Sequence, residues 1–378
     1  MNRLLSLDGG GIRGVFTIEV LKRVETILRE RYQNDTLVLA DYFNFIGGTS
    51  TGAIIAALLA WGKSVSEVSQ LYEEFGKLAF QPRRGWRSFR SKYHGLPVSR
   101  KLLELFQESD GTPSILGSER LRTFLLILLR NASTGSTWPV TNNPHAKFNR
   151  RNDGSHSNLD LPLWQLVRAS TAAPTFFPSE IVTLVASDGL ERKFEFVDGG
   201  VSPHLNPSLI MYLQATLPKY EMNLAGGRDN LYILSVGTGS SIHLYAPGEM
   251  ALINRVGGAI RVLRALMSAV NEQQDVMCRV LGHCIYGPPI NLELGDLIPA
   301  SGVASADARF LYCRYNYSFT DKDRHRARAE FGSRDALAID DLRSIPLLRE
   351  LGALYASDNV KAEHLPNAPL LRQRLMKF

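Results

Sequence analysis

The sequence predicts an α/β protein organised around a mainly parallel sheet, and three observations carry that expectation. Two apolar segments near the N-terminus, Arg3-Leu4-Leu5-Ser6-Leu7 and Tyr42-Phe43-Asn44-Phe45-Ile46, each run into a glycine-rich turn and then a helical stretch. Two later apolar segments, residues 194–197 and 231–236, end in Asp198-Gly199-Gly200 and Gly237-Thr238-Gly239. The composition, 44% hydrophobic and 21% charged over 378 residues, is ordinary for a globular protein with a sizeable core. Strand, loop and helix repeated in this order set parallel strands side by side, with their exit loops along one edge.

Several classes are set aside at once. No apolar run reaches the roughly 18 residues needed to span a bilayer. A signal peptide is not expected, because polar, glycine-rich sequence begins at Asp8. Cys278, Cys284 and Cys313 lack CxxC spacing and read as free thiols of a reducing compartment, with no metal site. The net charge of +6 suits an anionic partner.

Taken in order, the first element is the strand at residues 3–7, followed by Asp8-Gly9-Gly10-Gly11-Ile12-Arg13-Gly14. Val15, Ile18, Val20, Leu21, Val24 and Ile27 recur at helical spacing behind it. The loop has three readings. Gly9, Gly11 and Gly14 satisfy the G-x-G-x-x-G dinucleotide fingerprint, which wants an acid at the end of a second strand. Asp35 has about the right spacing but precedes the apolar residues 36–40. A second reading is an anion nest, in which successive glycine N–H groups converge on one oxyanion and Arg13 adds charge. The third is a turn without chemistry, for which three adjacent glycines are entropically extravagant.

Gly48-Thr49-Ser50-Thr51-Gly52 matches G-x-S-x-G, and an alanine-rich helix follows to about Trp61. Such an elbow pushes the serine Oγ out of the backbone at a helix N-terminus, where developing negative charge is stabilised. Gly48 and Gly52 let the turn close. A helix is expected from Ser66 to about Leu78. Next come Arg83, Arg84, Trp86, Arg87, Phe89, Arg90, Lys92 and Tyr93 with no acid among them. Cations interleaved with aromatics fit a flap on anionic lipid headgroups, a solvated basic loop, or a weak nucleic-acid patch.

Residues 98–108 and 118–130 read as helices, the second strongly apolar, and 131–158 as one long polar loop. A helix over Leu163–Ser170 ends at the prolines of residues 171–178. Asp198, at a strand end with Gly199 and Gly200 behind it, is a candidate general base, or else part of a plain Asp-Gly turn. From Leu252 to about Leu281 runs a long amphipathic helix with a basic face at Arg255, Arg261 and Arg264. Period-two aromatics occupy residues 312–319, and residues 321–334 read as a solvated helix.

The glycine-arginine loop, Gly48–Gly52 and Asp198–Gly200, in this order, resemble the patatin-like phospholipase family. Residues 169–174 and 235–239 are also similar, so the resemblance covers about residues 3–240. It implies a three-layer α/β/α sandwich, with a catalytic domain over 1–245 and a mainly helical extension over 246–378. It further implies a phospholipase A type lipid acyl hydrolase with Ser50 as nucleophile and Asp198 as base. Gly9, Gly10, Gly11 and Arg13 then hold the oxyanion, and no cofactor is required. A carboxylate of ordinary pKa near 3.9 is a weak base and needs burial to raise it. A histidine triad stays open, since His204, His243 and His283 all follow Asp198. The implied setting is cytoplasmic, acting peripherally on the phospholipid surface of the inner membrane, with an oligomer allowed and no DNA or RNA expected. Bacterial members of similar length include antiphage effectors switched on by a cyclic nucleotide, a control this chain's C-terminal part has room for. A non-catalytic lipid- or nucleotide-binding module is the alternative.

Overall fold

Strands covered on both faces need apolar side chains at successive positions, and the central strands here have them. The computed structural model describes residues 1–80, 91–150, 157–185, 190–241, 255–298, 307–332 and 337–371. The N-terminal part runs β1 (Asn2–Leu7), α1 (Gly14–Tyr32), β2 (Phe45–Thr49), α2 (Thr51–Ala60), α3 (Val65–Ala79) and α4 (Leu96–Leu105). Next come β3 (Phe124–Asn131), β4 (Ser136–Thr141), α5 (Leu163–Ser170), β5 (Glu180–Val185), β6 (Glu191–Asp198), α6 (Ser208–Thr216) and β7 (Leu231–Val236). The remainder is β8 (Ser240–Ser241), α7 (Arg255–Leu281), β9 (His283–Tyr286), β10 (Leu311–Tyr315), β11 (Ser318–Phe319), α8 (Asp321–Phe331) and α9 (Ile345–Asn359).

β1 lies between β2 and β7, with β3 beyond β2 and β10 then β9 beyond β7, all of them parallel. Alternate side chains enter two separate cores. Leu5, Ile46, Ile127 and Leu234 face the core shared with α1 to α5, α8 and α9, while Leu4, Phe45, Leu126 and Ile233 face one shared with α6 and α7. That is the α/β/α sandwich of the sequence expectation.

Two expectations are corrected. Residues 118–130 are not a helix: Phe124–Asn131 is β3, buried between both cores. Its run Phe-Leu-Leu-Ile-Leu-Leu carries no period, so a doubly covered strand and a buried helix look alike in sequence. The polar stretch 131–158 is not one loop, because β4 folds back antiparallel on β3. Trp138 on β4 packs against Phe194 and Phe196 of β6. The described C-terminal part is mainly helical, with α7, α8 and α9, but it also supplies β9 and β10, which extend the central sheet beyond β7. The boundary expected at 245 therefore falls between strands of one sheet. Among the described residues, no helix is long and apolar enough to cross a membrane.

Candidate active site

β3 has two edges, and one is shared. β4 pairs along Leu126–Asn131, and on the other edge β2 ends with Thr49 opposite Leu128 while β6 ends with Asp198 opposite Leu129. β2 is parallel to β3 and β6 antiparallel, so the two strands run toward each other and their last residues meet head to head. Asp198 thus reaches Ser50 from an antiparallel strand, and not from the row of parallel exit loops that sequence order suggested.

Ser50 sits at φ 55°, ψ −124°, a conformation costly for a residue with a Cβ. The elbow is forced by packing. A Cβ on Gly48 would stand 2.1 Å from the Gly52 carbonyl oxygen, so only glycine lets α2 start this close to β2. A serine before a helix ordinarily turns its Oγ back to cap the first turn. Here the Ser50 Oγ donates to Asp198 Oδ2 at 2.6 Å instead. Its backbone N–H donates to Ser170 Oγ at 2.9 Å, and that hydroxyl donates to the Leu128 carbonyl at 2.7 Å. Ser170, at the end of α5, thereby ties the elbow to β3.

Asp198 is buried, at 5% exposure. Its Oδ1 accepts the Gly200 N–H at 2.7 Å, and its own N–H donates to the Ala172 carbonyl. Burial pushes its carboxyl up to about 6, opposed by the Ser50 and Gly200 hydrogen bonds and by the Arg168 charge. Burial thus moves this carboxyl from the ordinary aspartate range toward neutrality.

The glycine loop lies across the end of β1 from Ser50. Gly9 N–H donates to the Leu205 carbonyl at 3.1 Å, and Gly10 N–H to Thr51 Oγ1 at 3.2 Å. Of the expected oxyanion donors, Gly9 is thus engaged by a main-chain oxygen, while Gly10 is held by a hydroxyl that can rotate. Gly11 has φ 59°, and a Cβ there would meet the Ile339 carbonyl at 2.1 Å. That carbonyl accepts the Ile12 N–H at 2.7 Å, and Tyr72 of α3 donates to the Gly11 carbonyl at 2.5 Å. Arg13 is half-buried and leads directly into α1.

Asp8 anchors the loop. Arg314 on β10, level with Ser235 on β7, donates from Nη1 to Asp8 Oδ1 at 2.9 Å and from Nη2 to Oδ2 at 2.6 Å. It also donates to Ser235 Oγ at 2.7 Å, and Asn271 of α7 reaches Asp8 Oδ2 at 3.3 Å. Both charges are buried, with 1% exposure for Asp8 and Arg314 alike. Burial raises the Asp8 carboxyl, and Arg314 opposes that rise. Sequence reading missed Arg314, although an arginine inside a period-two aromatic strand was the signal that could have found it.

The remaining sequence candidates divide clearly. Gly48, Gly52, Gly199 and Gly200 are all at the Ser50–Asp198 junction. His204 touches neither side chain; its carbonyl accepts from Thr49 Oγ1, and burial lowers its pKa. His283 is on β9, at the far edge of the sheet from β2. His243 lies outside the described residues, as do Arg83, Arg84, Trp86, Arg87, Phe89 and Arg90. From the end of that basic stretch, Lys92 pairs with Asp340, while Tyr93 is buried and donates to Asp340 at 2.7 Å. A cavity of about 620 Å³ opens beside β6, lined by Thr175, Phe177, Glu195 and Val197 among others. Neither Ser50 nor Asp198 is among its lining residues. Among the described residues, no group of three or more His, Cys, Asp or Glu side chains could hold a metal ion. Cys278, Cys284 and Cys313 are buried and unpaired as disulfides.

A serine on a strand-to-helix elbow thus faces a buried aspartate beside a glycine-rich loop. Residues 5–207 match the family Patatin-like phospholipase, and the chain belongs to that family. It is similar to Patatin-17 of Solanum cardiophyllum, 30% identical over 253 residues, covering 64% of this chain and 61% of that protein. Patatin-T5 of Solanum tuberosum is 29% identical over the same shares. The chain thus spans about three fifths of the length of these curated relatives. Among solved structures, VipD from Legionella pneumophila aligns at 12% identity and a TM-score of 0.36, over 95% of this chain and 67% of that one.

Proposed function

We propose that this protein is a phospholipase A type lipid acyl hydrolase that works through a Ser50–Asp198 dyad. The observation that carries the reading is the 2.6 Å bond from Ser50 Oγ to a buried Asp198 whose pKa is pushed up to about 6. Ser50 Oγ attacks the ester carbonyl carbon while its proton passes to Asp198 Oδ2. The tetrahedral oxyanion lies toward the Gly10 and Gly11 N–H groups and the N-terminus of α2. Collapse breaks the bond to the lysophospholipid oxygen, which takes the proton from Asp198 as it leaves. Water then gives a proton to Asp198, attacks the acyl-Ser50 ester and releases the fatty acid, and Ser50 recovers its proton.

The dyad reading is favoured over a triad because both Asp198 oxygens already have partners, Ser50 and the Gly200 N–H, and neither described candidate histidine is among them. The acyl hydrolase reading is favoured over a pure lipid binder because a binder has no use for a strained serine or a buried carboxylate. The test is fatty-acid release from mixed phospholipid vesicles, measured by mass spectrometry for wild type and Ser50→Ala. Release that depends on Ser50 is expected; release that survives in Ser50→Ala, or none from wild type, overturns the reading.

A further inference from the structure

Every peptide of the glycine loop has a donor and an acceptor to satisfy, and their partners single out one donor that has none. The Gly9–Gly10 peptide is gripped at both ends. Thr238 Oγ1, in the loop after β7, donates to the Gly9 carbonyl at 3.2 Å, and the Gly10 N–H donates to Thr51 Oγ1 at 3.2 Å. The Gly11–Ile12 peptide is gripped likewise. Tyr72 of α3 donates to the Gly11 carbonyl at 2.5 Å, and the Ile12 N–H donates to the Ile339 carbonyl at 2.7 Å. Between these two peptides, the Gly11 N–H has no hydrogen-bond partner among the described residues. The loop also stands against the nucleophile, since a Cβ on Gly9 would come within 3.1 Å of Ser50 Cβ. Thr238 and Tyr72 enter through space that glycine leaves. A Cβ on Gly10 would stand 2.1 Å from Thr238 Oγ1, and one on Gly14 2.2 Å from Tyr72 Oη. Both residues are buried, and burial pushes the Tyr72 phenol above its usual value, so it remains a donor.

We infer that Tyr72 and Thr238 are positioning residues that hold the Gly11 and Gly9 carbonyls, so that the Gly11 N–H stays uncommitted for an oxyanion formed at Ser50. This rests on the hydrolase reading above. Three adjacent glycines turn their peptides at little steric cost, so the loop has no rigidity of its own. A peptide turned the other way presents a carbonyl oxygen, which repels an oxyanion, in place of an N–H, which stabilises it. The two hydroxyls come from α3 and from the Gly237-Thr238-Gly239 loop, outside the elbow and the Asp198 strand end. They fix the loop before the reaction begins, which is where electrostatic stabilisation gains its effect.

Tyr72→Phe and Thr238→Val each remove a hydroxyl and keep most of the side-chain volume, and p-nitrophenyl butyrate serves as a soluble ester. Each variant is expected to lower kcat about tenfold or more, with KM within about twofold of wild type. A trifluoromethyl ketone, which adds to Ser50 Oγ as a stable tetrahedral oxyanion, should lose affinity by the same factor as kcat/KM. Thr238→Ser, which keeps the hydroxyl, is expected to recover most of the loss. Hydrogen exchange gives a second measurement, with the Gly10 and Ile12 amides expected to exchange faster in both variants. A kcat kept by both variants overturns the inference. So does a loss confined to KM, an unchanged ketone affinity, unchanged exchange, or a Thr238→Ser enzyme as slow as Thr238→Val. Absence of Ser50-dependent turnover in wild type sinks the hydrolase reading and this inference together, whereas Ser50-dependent turnover that both variants keep sinks the inference alone.

Discussion

The two parts of the chain, up to residue 207 and beyond it, contribute differently to one site. The first holds the groups proposed to react: Ser50, Asp198 and the glycine loop. The second holds what keeps them in place. Arg314 on β10 clamps Asp8, Ile339 fills the space above Gly11, and α7 lies over Gly200. The difference teaches that a family match over residues 5–207 takes in Ser50 and Asp198 but not the whole structural unit. β7, β9 and β10 complete the sheet on which the nest is built.

The comparison breaks most sharply at the dyad. Ser50→Ala and Asp198→Asn are each expected to lower kcat about 10³-fold or more, with the fold retained by circular dichroism. If Asp198→Asn keeps most of its activity, the head-to-head meeting of β2 and β6 has no catalytic meaning.

Next in size is the clamp. Arg314→Met leaves a buried Asp8 carboxylate without its partner, which costs about 3–5 kcal/mol of stability in urea unfolding. Because the clamp acts on the nest and not on ground-state binding, kcat should fall about 10–100-fold in the folded protein while KM changes little. Arg314→Lys, which keeps the charge but not the fork, should recover only part of the loss. A change confined to KM would move Arg314 out of the positioning role.

A third expectation concerns pH. The base must be ionised, so kcat/KM should rise about tenfold per pH unit below about 6 and level off above it. The same group works against the fold. Its native pKa lies above the ordinary 3.8, so its favourable contribution is present at low pH and is lost as pH rises through about 6. Asp198→Asn, neutral throughout, should therefore be more stable than wild type at pH 8, by roughly 1–3 kcal/mol. No gain in melting temperature at pH 8 would contradict the burial effect.

The smallest effect is strain at the elbow. Ser50→Gly fits φ 55° without a Cβ and should unfold at higher urea than Ser50→Ala, by about 1 kcal/mol.

Much of this site was legible in the sequence because its chemistry is local. The Gly48–Gly52 elbow, the glycine nest and the Asp-Gly-Gly strand end are short motifs whose backbone demands are written in glycine. The rest is non-local. β3 was misread because a run such as Leu125–Leu129 has no period when both faces are buried. The approach of Asp198 from an antiparallel strand depends on register with Leu129, which no spacing encodes. Arg314 lies 306 residues from Asp8, so only the folded sheet brings them together. Ser170 stood inside a recognisable stretch, yet its bond to the Ser50 N–H follows from where α5 ends.

The pairing of Ser50 with Asp198 is tested most directly by covalent labelling with a fluorophosphonate, followed by intact-mass spectrometry. Wild type should gain one adduct on Ser50 at a rate that climbs with pH through about 6. Asp198→Asn should label at least about 100-fold more slowly, and His204→Ala at the wild-type rate. Equal labelling of wild type and Asp198→Asn, or loss of labelling in a folded His204→Ala, would contradict the dyad.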